Sequence, residues 1–148
     1  MRLSLQVQYA ICGVFDLAYN AHDEAVQVRV VGERQGIPGR YLEQIFRKLR
    51  QAGLVRGKRG PGGGYRLARA PAAISLLDIV EAVEGPIEAR APARPATEVP
   101  TYRPDFLWAE VGSRVSDVLR DTHIESLCRQ AARRGVRRFR AEALEYQI

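Results

Sequence analysis

Apolar residues open this chain at helical spacing. Leu3, Val7, Ala10, Ile11, Val14, Leu17 and Ala18 fall three or four positions apart, which predicts one amphipathic helix from about Ser4 to Asn20. A loop through His22 and Asp23 follows, and Val28, Val30, Val31 and Ile37 bracket a short second helix near Arg29 to Gln35. Valine suits strands, but Gly36-Ile37-Pro38 has the composition of a tight turn between helices, with Pro38 placed for a helix's first turn. The third helix, about Gly39 to Ala52, turns Leu42, Ile45, Phe46 and Leu49 inward. That leaves Arg40, Tyr41, Glu43, Gln44, Arg47, Lys48 and Arg50 on or beside the outer face, and Gly53 ends the helix.

The pattern then changes. From Leu54 to Leu67, two short apolar and basic runs flank a loop of four glycines and one proline, the composition of a β-hairpin. Lys58 and Arg59 lie at its tip, and Tyr65, Arg66 and Leu67 form the returning strand. Ser75-Leu76-Leu77-Asp78 resembles a capping box ahead of a fourth helix with Leu76, Ile79, Val80 and Val83 as its stripe, stopped by Gly85-Pro86.

Residues 86–105 hold five of the eight prolines and no regular period, which predicts a linker. Beyond it, Leu107, Val111, Val115 and Val118, joined by Trp108 and Leu119, give a second strong helical stripe. A helix separated from its domain needs another apolar surface, and the same helix of a second copy supplies one across a two-fold axis. Thr122 and Glu125 have capping-box spacing before a short helix through Ile124, Leu127, Cys128 and Ala131. Residues 129–148 hold six arginines against Glu142 and Glu145, a composition that suits helix or disordered chain.

The expected architecture is therefore mainly α with a small β-hairpin. A winged helix-turn-helix occupies residues 1–85, a proline-rich linker 86–105, and a long dimerisation helix with a basic tail 106–148. Charge sharpens this picture. Residues 29–69 carry 11 Lys and Arg against only Glu33 and Glu43, whereas the whole chain is only +6. Such a block on an ordered segment is the electrostatic footprint of nucleic-acid binding. Enzyme chemistry finds no support: there is no Ser/His/Asp set, and Gly60 to Gly64 lacks the Gly-Lys-Ser/Thr ending of a phosphate-binding loop. Cys12 and Cys128 make no disulfide framework, and no apolar run approaches the roughly 20 residues a membrane helix needs, so a cytoplasmic protein without membrane association is expected.

Several motifs together resemble the Rrf-two family of bacterial transcription regulators, the IscR/NsrR type. They are Met1-Arg2-Leu3-Ser4, Tyr41-Leu42-Glu43-Gln44, Leu54-Val55, Arg59-Gly60-Pro61-Gly62-Gly63-Gly64-Tyr65, and the run from Asp78 to Pro86. The resemblance covers roughly residues 1–86 and implies a homodimeric regulator bound to a pseudo-palindromic operator in double-stranded DNA. It assigns Arg40, Tyr41, Glu43 and Gln44 to the major groove and Arg59 to the minor groove; Arg47, Lys48, Lys58 and Tyr65 complete the candidate surface. Glu can accept from a cytosine amino group, although Arg47, four residues on, also offers Glu43 an intrahelical partner. Many relatives carry a serine where Arg40 stands.

Cluster-binding members of that family place three cysteines after the Gly-Pro that matches Gly85-Pro86. Residues 86–106 here contain no cysteine and no histidine, so the usual iron–sulfur ligands are absent and no cofactor is expected. The alternatives are a redox or iron sensor with an unconventional cluster drawing on Cys12, His123 or Cys128, Cys12 lying one turn from Gln8, and a basic RNA-associated module.

Overall fold

Ser4 starts the first helix: its hydroxyl accepts from the Val7 N–H at 3.3 Å, and α1 runs from Leu5 to Asn20. In the computed structural model residues 2–21, 23–87 and 102–139 are described; His22, most of the proline-rich linker and the end of the basic tail lie outside the described residues. Helix α1 is the pillar. It packs against α2 (Val28–Gln35), α3 (Gly39–Gln51), α4 (Leu76–Glu84) and α6 (Ile124–Arg133), and against strand β2 (Gly64–Leu67). Val7, Ala10 and Val14 are wholly buried on it, beside Val31, Leu42, Phe46, Leu49, Ile74, Ile79 and Ile124. Leu3, counted above in the first stripe, precedes the cap and remains 37% exposed.

The hairpin pairs β1 (Val55–Lys58) with β2 antiparallel, with Val55 opposite Leu67 and Lys58 opposite Gly64. Its turn has Pro61 second, Gly62 third at φ +70°, and the Gly63 N–H donating to the Gly60 carbonyl at 2.9 Å, the pattern of a type II turn. Val26, just before α2, adds a bridge to the open edge of β2, exchanging hydrogen bonds of 2.9 and 2.8 Å with Tyr65. The close pass leaves no room at Gly64: a Cβ there would strike the Val26 carbonyl, and its φ of +143° already excludes most side chains.

Ser75 and Asp78 form the expected capping box at the start of α4, through bonds of 3.1 and 2.9 Å. Thr122 behaves differently from the expectation. It caps nothing on α6, whose N-cap position is His123; its hydroxyl donates back to Val118 and its carbonyl accepts from Leu76. The reason is an isolated bridge between Ser75 and His123, which commits the backbone there to joining α4 and α6.

Helix α5 (Phe106–Asp121) also departs from the simple picture of a stripe stranded away from its own domain. Its C-terminal half packs on α4 of the same chain, burying Ser116 and Leu119 and half-burying Val115. Phe106, Leu107, Trp108, Val111 and Val118 remain exposed.

One buried charge locks the helical layer. Asp16 is 0% exposed and is the sole charged residue of α1. One of its oxygens accepts from Arg34 at 3.1 Å; the other accepts from Asn20 at 3.0 Å and Gln35 at 2.8 Å. Residues 136–139 then run across this network. Tyr19 donates its hydroxyl proton to the Val136 carbonyl at 2.9 Å, Asn20 accepts from the Phe139 N–H at 2.9 Å, and the Phe139 ring covers the Arg34 guanidinium at 4.3 Å. The near part of the basic tail thus straps the ends of α1 and α2.

Two stability measurements check these readings. Asp16→Ala strands the Arg34 cation, and urea denaturation should show a loss of about 3–5 kcal/mol; an unchanged midpoint would mean the ion pair does not tie α1 to α2. Gly64→Ala should cost about 1–3 kcal/mol through backbone strain and displacement of Val26, and wild-type stability would show that the wing edge adapts freely.

Candidate nucleic-acid interface

Helix α3 splits into two faces because its apolar residues recur at three and four positions. Leu42, Ile45, Phe46 and Leu49 are buried, while Arg40, Tyr41, Glu43, Gln44, Arg47 and Arg50 are exposed. The tight turn at Gly36–Pro38 sets the first turn of α3 beside α2, above an open cleft of about 370 Å³ lined by Val28, Arg29, Gly32, Pro38 and Glu43. The wing follows directly from the C-terminus of α3, where Leu54 donates its N–H to the Leu49 carbonyl at 3.0 Å.

Two of the nine candidate DNA contacts turn inward onto the fold. Lys48 turns away from the outer face and donates from Nζ to the Val83 carbonyl at 3.1 Å, tying α3 to the end of α4. Tyr65 points beneath the wing, its ring 5.0 Å from that of Phe46. Lys58 and Arg59 are exposed at the tip of the wing. Glu43 has no hydrogen-bond or ion-pair partner among the described residues, so the intrahelical pairing with Arg47 does not form.

The basic block sorts by partner. Arg29 pairs with Glu33 at 2.7 Å, Arg34 with Asp16 at 3.1 Å, and Arg69 approaches Asp78 at 4.0 Å. The other eight of its eleven cations have no carboxylate partner among the described residues. Four belong to α3 (Arg40, Arg47, Lys48, Arg50) and four to the wing (Arg56, Lys58, Arg59, Arg66). Arg56 and Arg66 stand directly opposite on the hairpin, both exposed. Like charges so placed repel, and an anion between them would offset that cost. Sequence reasoning counted these two arginines in the basic block without assigning them to the surface.

Tyr9 is a second omission. It sits half-buried on α1 with its ring 6.4 Å from that of Tyr41, whose own ring carries the Arg40 guanidinium at 4.9 Å. The signal was faint: a tyrosine beside an apolar stripe reads as core.

Cys12 and Cys128 are both free and half-buried against the hydrophobic core. Burial pushes the Cys12 thiol above its ordinary pKa; for Cys128 burial, with Glu125, outweighs the opposing pull of Arg138. His123 is held in the bridge with Ser75. The described residues contain no cluster of three or more His, Cys, Asp or Glu placed to hold a metal, and no described helix is long and apolar enough to cross a membrane.

A sequence model described as Rrf2, iron-dependent transcriptional regulator, matches residues 3–130. The transcriptional regulator IscR of Vibrio cholerae is 37% identical over 132 residues, which span 86% of this chain and 75% of its own. Among solved structures, IscR of T. potens shares 29% identity and a TM-score of 0.73 over 88% of each chain. CymR of B. subtilis, titled the global cysteine regulator, shares 30% identity and a TM-score of 0.73 over 88% of this chain and 98% of its own. The iron in the family description does not fit the donors present. Thiolate and imidazole hold iron–sulfur clusters, yet residues 86–106 supply neither group, and the described residues bring no three His, Cys, Asp or Glu together at a metal site. The match over most of the chain, the winged helix-turn-helix and the named regulators agree: this chain belongs to the Rrf2 family of transcription regulators.

Proposed function

We propose that this regulator binds double-stranded DNA as a homodimer over a pseudo-palindromic operator. The outer face of α3 enters the major groove and Arg59 of the wing enters the minor groove. One observation carries the reading: of the eleven cations at residues 29–69, the eight without carboxylate partners among the described residues all belong to α3 and the wing. Apart from Lys48, which bonds the Val83 carbonyl, these cations are poised to neutralise phosphates, and such contacts supply most of the sequence-independent affinity for DNA.

Glu43 has the opposite chemistry. An exposed carboxylate amid these cations repels phosphate, and it has no partner among the described residues to explain it. A cytosine amino group is the base edge that suits it, which makes Glu43 a reader of sequence rather than an anchor. Lys48 and Tyr65 support this surface from behind instead of touching DNA, through Val83 and Phe46.

The dimer reading rests on α5. Phe106, Leu107, Trp108, Val111 and Val118 are large, exposed and on one helix, while Val115 and Leu119 face the chain's own core. A second copy of α5 covers such a face symmetrically. Free thiols in a chain with no disulfide suit the reducing cytoplasm.

Fluorescence anisotropy with operator and scrambled duplexes across a salt series tests the DNA roles. Arg59→Ala should weaken binding to both and lower the salt slope by about one unit. Glu43→Ala should leave the slope alone and relax discrimination by roughly 1–3 kcal/mol at one position per half-site. Equal losses on every duplex for both variants, or tighter binding to RNA, would overturn the assignment.

Light scattering tests the dimer. The double variant Val111→Asp, Val118→Asp changes exposed residues only and should yield monomers with weakened operator binding. A persistent dimer would place the interface elsewhere.

A further inference from the structure

The cations of the reading surface differ in how firmly they are held. Arg47, Arg50, Lys58, Arg59 and Arg66 have no side-chain partner among the described residues. Arg40 does. Its guanidinium lies over the Tyr41 ring at 4.9 Å, and its Nη2 donates to the Tyr41 hydroxyl at 3.2 Å. Tyr41 is itself braced: although 43% exposed, it leans on Tyr9 of α1, with ring centres 6.4 Å apart and planes tilted by 38°. Both spacings fall in the attractive range for cation–π and aromatic pairs. Tyr9 is packed against the hydrophobic core, so the stack ends on a fixed support.

Holding a long side chain in one place costs conformational entropy, and a phosphate contact gains little from it because a mobile cation neutralises phosphate as well. Reading a base edge is different, since it requires two N–H groups at a set angle. Arginine has five such donors in a rigid fork, and only one is committed to Tyr41. Arg40 also occupies the first turn of α3, the part of a recognition helix that meets base edges. The base whose major-groove edge offers two acceptors to such a fork is guanine, through O6 and N7.

We propose that Arg40, Tyr41 and Tyr9 form a guanine-reading unit, in which Arg40 bonds the O6/N7 edge of one guanine per half-site and Tyr9 is the positioning residue behind it. This rests on the DNA-binding reading above and specifies one base of the operator.

Selection of bound duplexes from a randomised pool, followed by affinity and salt-slope measurements on the winners, tests the unit. The wild-type protein should enrich a guanine at one symmetric position in each half-site. R40K keeps the charge but loses the fork, and should lower preference for that guanine about tenfold or more with an unchanged salt slope. Y9A should lower the same preference several-fold, and Y9F, which keeps the ring, should restore it. An unchanged selected sequence with R40K would overturn Arg40 as a base reader. Loss with R40K but full selectivity with Y9A would overturn the positioning role of Tyr9. Should Y9A not fold, Y9L replaces it and is read in the same way. A wild-type protein that enriches no sequence would instead defeat the DNA-binding reading itself, an outcome distinct from the others.

Discussion

Phe46 is the side chain on which the placement of α3 and the wing depends. It is wholly buried on the inner face of α3, and its ring edge lies where a side chain on Gly13 of α1 would reach to 3.0 Å. The absence of a Cβ at Gly13 therefore sets how closely α3 approaches the pillar helix. The same ring meets Tyr65 at 5.0 Å, so the wing is referenced to the same point. Pillar, α3 and wing share one aromatic side chain. Interiors packed at crystal-like density do not deform smoothly, and this gives α3 and the wing a defined mutual position without a large sheet to hold them.

Around that centre the charged residues divide by what surrounds them. Arg34, Arg29 and Arg69 are neutralised by carboxylates and serve the fold. Lys48 spends its charge on the end of α4, where a cation also complements the exposed carbonyls of a helix C-terminus. Arg56 bonds the Ala68 carbonyl and Arg40 bonds Tyr41, while Arg47, Arg50, Lys58, Arg59 and Arg66 have no side-chain partner among the described residues. Net charge alone does not reveal this division, because partnered and unpartnered arginines count equally in it.

The C-terminal part of the described chain serves two ends. The inner side of α5 completes the core through Leu119, while its outer side and its N-terminal turn remain apolar and exposed. Helix α6 then returns to α1, and the strap at 136–139 covers the buried Asp16–Arg34 pair. A buried ion pair contributes little net stability, but it is costly to break, so the strap protects a vulnerable point by keeping an aromatic ring over the cation.

Much of this was legible in the sequence. The stripes of α1, α3 and α4, the capping box at Ser75 and the Gly60-Pro61-Gly62 turn are local, set by side-chain period and backbone preference within a few residues. The outward positions Arg40, Tyr41, Glu43, Gln44 and Arg47 followed from the same period. Only the tertiary structure decided which neighbour each remaining side chain meets. Lys48 turned to Val83, Tyr65 to Phe46, Tyr41 to Tyr9, and Asp16 to Arg34 beneath Phe139. The α5 stripe, continuous in sequence, was divided between its own core and an open face. Periodicity states that a face must be covered or that a charge lies beside it; the covering partner is far away along the chain, and only packing brings the two together.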